Sequence, residues 1–396
     1  NALLKPKGLQ LKHMWRAAAS RLEFVDTPKM NVYILQVMSI LRQAYCSPKY
    51  LYFLLPGQER PIRDPDGTRR TEVMVKDAVD FENRWHNAVL ALENAIKLLR
   101  DPREFGAISS SYLPYISILP AFSSLQFHVN SLSPELHLTA QRKVRHWYWA
   151  SVFTNRYSGS VESTSARDFL DVQAWITDDD EEPALIGEFR DRFNRLDLRG
   201  ETRRGTSVYS GIFNLLILKG AQDWYSGKVP QHSDLDDHHI VPKSWQNPNL
   251  KGKIIDSILN RTPLSAETNR RGIKERLPNE YLPELIAANG EGSVRAILES
   301  HFISPTAFDI LLRDPFSYDD YEEFITERQR TIQDAIQSLL IKERLDLPLH
   351  LRDLDEKIEL IELDLRITIL DALDNDLIKV PSHILVEVDK RVQRTL

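Results

Sequence analysis

Residues 234–245, D-L-D-D-H-H-I-V-P-K-S-W, and residues 258–274, I-L-N-R-T-P-L-S-A-E-T-N-R-R-G-I-K, decide how this chain is interpreted. Two adjacent histidines precede Ile-Val-Pro, and two asparagines nine residues apart follow in a segment rich in Arg and Lys. Neighbouring side chains of an extended strand point to opposite faces. We therefore expect His238 and His239 to have different roles.

These residue types are suited to cutting a phosphodiester bond. That reaction needs a base for water, a divalent cation beside the phosphate, and side chains that hold the cation. A neutral imidazole can take a proton near physiological pH. Imidazole and amide ligands leave coordination positions open, which suits one Mg²⁺ or Mn²⁺ ion. The alternative is that the histidines are partly buried polar residues at a strand edge and the asparagines form turns; the joint pattern favours the nuclease.

The arrangement resembles the ββα-metal, or HNH, nuclease motif. The resemblance implies that His239 is the general base and that His238 and Asn269 bind the metal ion. It also places Asn260 at the asparagine that braces the loop between the two strands. All four residues are thus implied to belong to the catalytic centre.

The remaining motif positions are polar or basic. The resemblance implies that Asp236, with its neighbour Asp237, supports the metal site. It also implies that Arg270, Arg271 and Lys274 contact the phosphates of DNA.

A wider resemblance covers roughly residues 100–340. Residues 153–160, F-T-N-R-Y-S-G-S, and 220–227, G-A-Q-D-W-Y-S-G, precede the double-histidine element in that order. The chain resembles the C-terminal half of GmrSD-type restriction endonucleases, whose relatives include SspE-like antiphage proteins. The resemblance implies a bacterial defence nuclease that hydrolyses foreign or modified DNA, which we expect to be double-stranded.

The same family implies a separate N-terminal nucleotide-hydrolysing domain marked by Asp-Gly-Gln-Gln-Arg. That marker is absent from this sequence, and D-G-T-R at residues 66–69 does not replace it. Dependence on a nucleoside triphosphate therefore does not follow. Two explanations stay open: such a domain precedes Asn1, or the chain is a divergent member.

The composition excludes several classes of protein. With 396 residues, 42% of them hydrophobic and 27% charged, the chain has the make-up of a globular protein with ample cores. The lone Cys46 excludes a disulfide framework and a cysteine-bound zinc site. No apolar stretch is long enough to span a membrane, so we expect a cytoplasmic protein without a membrane partner.

The net charge of −6 is unfavourable for an enzyme that binds phosphates. Basic residues are nevertheless clustered along the chain, and a local field can outweigh the net charge. These clusters are Arg142 to Arg145, Arg199 to Arg204 and Arg270 to Arg276.

Apolar residues at helical spacing dominate the chain and predict a mainly α protein with a small inserted α+β module. We divide it into an N-terminal helical region at 1–130, a helical scaffold at 131–290 with the nuclease module at about 230–280, and a C-terminal helical region at 291–396. Helices are predicted at 9–24, 28–44, 75–99, 112–127, from 133 towards 153, at 207–224, 249–258, 293–301, 305–312 and 318–345. Residues 56–71 predict an exposed loop or a short hairpin.

The helix after Ser133 interleaves basic and aromatic residues. Trp147, Tyr148 and Trp149 could stack on nucleic-acid bases. Core packing, with the arginines reaching solvent, is the favoured interpretation.

The last third of the chain predicts a helical pair. Residues 353–373 carry a wide apolar face that we expect to pack on the helix at 318–345. Formation of a homo-oligomer through the same face stays open.

Two rival functions also stay open. The ββα unit could bind DNA or a partner without cutting it, or the chain could be a toxin that cleaves RNA. A nuclease assay that offers both polymers separates these alternatives.

Overall fold

The computed structural model describes residues 3–64, 66–193, 196–229, 235–250 and 254–341. At residues 192, 270, 271 and 339–341 it describes the backbone alone. The described residues fall within one compact unit, Asn1–Glu343.

The first half of the chain is helical, as predicted. In α4 (Ala78–Arg100) the apolar stripe of Phe81, Trp85, Leu92 and Leu99 is buried, and Asp77 caps the first turn. The helices are α1 (Leu11–Ala19), α2 (Met30–Gln43), α3 (Pro48–Tyr52), α4 (Ala78–Arg100), α5 (Leu119–Val129), α6 (Pro134–Phe153), α7 (Val161–Thr177), α8 (Ala184–Phe193) and α9 (Ser207–Leu218).

Helix α5 lies at the centre of this half. It is apolar on nearly all sides, as a fully surrounded helix should be, and packs against α2, α4, α6 and α7. Two 3₁₀ turns, Ser110–Tyr112 and Ile116–Ile118, precede it, so the helix predicted at 112–127 becomes regular only from Leu119.

Helix α6 connects this core to the part of the chain that carries the double-histidine element. It packs against α5, α7, α8, α9 and α13 (Tyr318–Ile341). Trp147, Tyr148 and Trp149 are fully buried, which confirms the core interpretation and excludes base stacking by these rings. Arg145 pairs with Glu104.

Helix α9 lies between this core and strand β4 (Arg261–Ser265), which follows the double-histidine element. It packs against α6, and a Cβ at Gly211 would lie 2.6 Å from a methyl group of Val152, so glycine permits the close approach of the two helices. The prediction of one helix over residues 207–224 is wrong at its end. The helix stops at Leu218, and Gly220 then adopts a positive φ of 74° that ends the helical path.

The strands of the described residues form two small antiparallel sheets. β1 (Glu59–Arg63) and β2 (Arg69–Val73) form an exposed hairpin where a loop or short hairpin was predicted. β3 (Leu235–His239) pairs with β4 (Arg261–Ser265). The prediction of a mainly α protein with a small strand-containing insert is confirmed in this form.

The segment between β3 and β4 differs from its prediction. The prediction of one helix over residues 249–258 is wrong, because the described end of this segment forms two 3₁₀ turns, Ile254–Asp256 and Ile258–Asn260. The adjacent polar residues Asp256 and Ser257 separate two apolar pairs here and so interrupt a continuous apolar face.

In the described part of the chain, four further helices follow the β3–β4 pair. They are α10 (Pro278–Asn289), α11 (Glu291–Glu299), α12 (Pro305–Leu311) and α13. Arg328 of α13 is fully buried and donates to the carbonyl oxygens of Leu259 (2.7 Å) and His301 (3.0 Å), which ties the helix to the start of β4. The predicted helix at 353–373 lies outside the described residues.

His301 completes this contact between helices and strand. Its Nε2–H donates to the Gln222 carbonyl at 2.6 Å, and its Nδ1 accepts from the Thr262 hydroxyl at 2.5 Å. Complete burial lowers the pKa of His301 to about 3, so the ring is neutral in the folded protein.

The division into three regions stays a prediction. Among the described residues, no helix is both long enough and apolar enough to cross a membrane.

Candidate active site

The two histidines lie at the end of β3 and face opposite sides of the β3–β4 pair. His238 is opposite Thr262 and His239 is opposite Arg261 in the antiparallel register. Because side chains alternate along a strand, Asp236 shares a face with His238, and Asp237 shares the other face with His239. The site thus has two faces, each with its own set of partners.

On the first face, Asp236, His238 and Asn269 come together. His238 Nδ1 lies 2.6 Å from Asn269 Oδ1, and Asn269 Nδ2 donates to Asp236 Oδ2 at 3.2 Å. The carboxylate can only accept, so it fixes the amide with its nitrogen towards Asp236 and its oxygen towards His238. Residues 33 positions apart in sequence therefore form one polar group.

Burial determines the charge of His238. The ring is 5% exposed and lies edge-on to the Trp224 indole, with ring centres 6.2 Å apart. Burial lowers the pKa of His238 to about 4 and outweighs the opposing hydrogen bond to Asn269. The imidazole is therefore neutral at physiological pH, as a metal ligand must be.

Imidazole and amide groups are donor types that Mg²⁺ or Mn²⁺ accepts. The Asn269 oxygen can only accept, so Nδ1 of the neutral His238 carries the hydrogen of their 2.6 Å contact, and the lone pair is on Nε2, a buried atom without a hydrogen-bond partner among the described residues. A carboxylate, Asp236, adjoins them. Among the described residues there is no cluster of three or more His, Cys, Asp or Glu side chains that could hold a metal, and here an amide stands in the set.

On the second face, His239 contacts a carboxylate that the sequence did not identify. Its Nε2 lies 3.0 Å from Asp256 Oδ1. Asp256 also accepts from Arg261 at 3.0 Å and from Lys243 at 3.1 Å. Burial lowers the pKa of His239, and the nearby Arg261 lowers it further.

The side chain of Asp237 does not hydrogen-bond His238 or Asn269 on the first face, and instead anchors β3 to neighbouring segments. Its Oδ2 accepts from the Tyr209 hydroxyl of α9 at 2.5 Å and from Arg204 at 2.6 Å. Arg261 also lies 3.5 Å from its Oδ1. The carboxylate therefore ties the strand to α9 and to the preceding loop.

Asn260 holds the two ends of the connecting segment together. Its Oδ1 accepts from the Val241 N–H at 2.9 Å, and its Nδ2 donates to the carbonyls of Val241 (2.9 Å) and Ile255 (3.0 Å). The side chain is fully buried. These bonds fix the chain that follows His239 relative to the turn that carries Asp256.

Asn269 lies in a π-helical turn, Thr268–Ile273, that follows β4. The buried carboxylate of Asp223 accepts from the hydroxyls of Ser265 (2.6 Å) and Thr268 (2.8 Å) and so fixes the start of the turn. Gly272 lies against the Tyr225 ring, where a Cβ would come within 2.3 Å of a ring carbon. Residues 220–227 thus support the turn that carries Asn269.

The basic positions of the motif are placed only in part. Lys274 is exposed and follows the π-helical turn. At Arg270 and Arg271 the structure describes only the backbone. Lys243 and Arg204 are exposed cations of the second face, with side chains 65% and 63% accessible.

Sequence reasoning missed Asp256 and Asp223. Asp256 is an acidic residue within the otherwise apolar run I-I-D-S-I-L at 254–259, which is a weak signal for a polar contact made by a buried segment. Asp223 was part of the 220–227 stretch, but nothing in that stretch indicates its partners.

The comparisons with known proteins give one relative of undetermined function. No protein-family model matches this chain. An uncharacterized protein of Methanocaldococcus jannaschii is 30% identical over 294 residues, which cover 68% of this chain and 49% of that protein. The chain therefore spans about half the length of the relative that it matches.

Proposed function

We propose that this protein is a metal-dependent HNH endonuclease that hydrolyses phosphodiester bonds of double-stranded DNA, in defence against phage or other foreign or modified DNA. The supporting observation is the pairing of His238 with Asn269 on one face of β3 while the neighbouring His239 is held by a carboxylate on the other. The GmrSD-type resemblance supplies the defence context.

His239 is the proposed general base. A neutral imidazole accepts a proton from a water molecule, which can then attack the phosphorus. The Asp256 carboxylate accepts from Nε2, so Nδ1 carries the lone pair for that proton. Burial keeps the ring neutral before the reaction.

His238 and Asn269 are the proposed ligands of the ion, which when bound would stabilise the charge that develops on the phosphate and the leaving oxygen. Asp236 orients the Asn269 amide through its 3.2 Å hydrogen bond. Asn260 keeps the connecting segment in place. These contacts support the roles proposed for His238, Asn269, Asp236 and Asn260, whereas Asp237 contacts Tyr209 and Arg204 instead.

Phosphate binding is assigned to exposed cations around the second face. Arg204 and Lys243 are each held by a carboxylate of the site, yet most of each side chain is accessible. Lys274, with Arg270 and Arg271, is proposed to extend this surface. A local cluster of cations can attract DNA despite the net charge of −6.

Cleavage of nucleic acid by the purified protein tests the proposal. Supercoiled plasmid, linear duplex and RNA are incubated with the protein in Mg²⁺ or Mn²⁺, with EDTA as the blank. We expect cleavage of duplex DNA that is lost in His239→Ala and kept in His86→Ala, which removes an exposed histidine of α4. Cleavage of RNA alone would favour the toxin, and binding of DNA without cleavage would favour the binding module.

A further inference from the structure

We propose that Asp256 is a positioning residue that fixes the tautomer and the ring direction of His239, so that Nδ1 is the nitrogen that receives the proton. The inference deepens the proposed function and rests on it for its catalytic meaning. It is carried by the 3.0 Å contact between His239 Nε2 and Asp256 Oδ1.

The carboxylate is held in place from several directions. Asp256 ends the 3₁₀ turn Ile254–Asp256. The turn is bonded by Tyr321, whose hydroxyl donates to the Ile254 carbonyl at 3.3 Å, and by Asn260, whose amide donates to the Ile255 carbonyl at 3.0 Å. An acceptor fixed in this way can orient a neighbouring ring, which a mobile surface carboxylate cannot do.

The identity of the partner determines the tautomer. An ionised carboxylate has no proton to donate, so the close nitrogen of a neutral His239 must carry the hydrogen. Nε2 is that nitrogen, and the lone pair is then on Nδ1. Residue Asp256 thereby decides which of the two ring atoms is basic.

Two cations keep Asp256 an acceptor. Arg261 donates to the same Oδ1 at 3.0 Å, and Lys243 lies 3.1 Å from Oδ2. Burial alone would raise the pKa of the Asp256 carboxyl, but the hydrogen bonds from Lys243 and His239 hold the pKa below its usual value. The carboxylate therefore orients the imidazole without taking its proton, as in other carboxylate–histidine pairs.

The simplest competing explanation is that Asp256 only forms ion pairs with Lys243 and Arg261. The two substitutions Asp256→Ala and Asp256→Asn separate these explanations. Alanine removes the acceptor. Asparagine removes the charge but keeps an oxygen for His239, because its amide nitrogen would meet two donors at the Oδ1 position, His239 and Arg261, and only the exposed Lys243 at the Oδ2 position.

Nitrogen NMR of ring-labelled histidine measures the tautomer directly and does not depend on cleavage. The His239 signals are assigned by their loss in His239→Gln. We expect the Nε2–H form in wild type and in Asp256→Asn, and a mixture of both tautomers in Asp256→Ala. Lys243→Met, which removes one cation from Asp256 but leaves the contact with His239, should keep the Nε2–H form.

Two outcomes of the tautomer measurement would overturn the inference. One is an Nδ1–H tautomer in the wild-type protein, which needs no variant and so holds even where Asp256→Ala does not fold. The other is a folded Asp256→Ala protein whose tautomer is unchanged.

Cleavage kinetics then connect the tautomer to function. We expect Asp256→Ala to lower kcat by about 10- to 100-fold with little change in KM, and Asp256→Asn to recover most of the loss. Asp309→Ala, which removes an exposed carboxylate of α12, serves as the control. If wild type does not cut but the tautomer depends on Asp256, the proposed function fails while the positioning holds; if Asp256→Ala cuts at the wild-type rate, the positioning role is refuted.

Discussion

Replacing Asn260 by Ala should destabilise the protein far more than a single amide usually does. The side chain is fully buried and makes three hydrogen bonds to backbone groups, two of them to Val241 and one to Ile255. Alanine is small enough to fit but satisfies none of them. The cost should therefore come from backbone groups left buried without partners.

The magnitude follows from those three bonds. A typical hydrogen bond contributes about 1 kcal/mol net, and each buried group left unsatisfied raises the cost. We expect a fall of about 3 kcal/mol or more in the free energy of unfolding. The matched control is Asn289→Ala, which removes an exposed amide with one 3.3 Å contact and should change the free energy of unfolding by about 0.5 kcal/mol or less.

Chemical denaturation followed by far-ultraviolet circular dichroism measures both variants. A folded Asn260→Ala protein should also lose the contact between His239 and Asp256, because Asn260 joins the segments on which they lie. The His239 tautomer then becomes mixed. An Asn260→Ala protein as stable as the Asn289→Ala control would refute the role of this amide.

Three further predictions concern the metal, the acid limb and DNA binding. Asn269→Ala should raise the Mn²⁺ concentration needed for half-maximal cleavage by about 10-fold or more, and an unchanged titration would exclude it as a ligand. Acid should destabilise the fold through His301, because the imidazole takes up a proton below a pKa near 6.5 in the unfolded chain but only below about 3 in the folded protein. The free energy of unfolding should therefore fall by about 1.4 kcal/mol per pH unit between these two values. Denaturation curves in which His301→Gln loses as much stability in acid as wild type would contradict this. DNA binding is measured in the His239→Ala background, where Arg204→Gln and Lys243→Gln should each lower the magnitude of the slope of log binding constant against log salt concentration by about 1. The control Arg190→Gln removes an equally exposed arginine that is paired with a carboxylate, and it should leave the slope unchanged.

Local patterns predicted much of the helical framework. The apolar stripe of α4 recurs at helical spacing and the apolar run of α5 is nearly continuous, so the positions of both helices follow from the sequence. The opposite directions of His238 and His239 follow from strand geometry alone. These are properties that a few neighbouring residues determine.

Contacts between distant segments could not be predicted in the same way. The link from His239 to Asp256 spans 17 residues and depends on how the connecting segment folds back, which Asn260 controls. The end of α9 was placed too late because the buried residues Ala221 and Trp224 follow a turn at Gly220 and do not continue the helix. Tertiary context, rather than local propensity, decides both features.

The most direct test of the central claim measures Mn²⁺ binding and plasmid cleavage in the same preparations of wild type and His239→Ala. If His238 and Asn269 hold the ion and His239 activates water, both proteins should bind one Mn²⁺ with similar affinity and wild type alone should cut the plasmid. Cleavage by His239→Ala at the wild-type rate, or absence of Mn²⁺ binding and cleavage in the folded wild-type protein, would contradict the assignment.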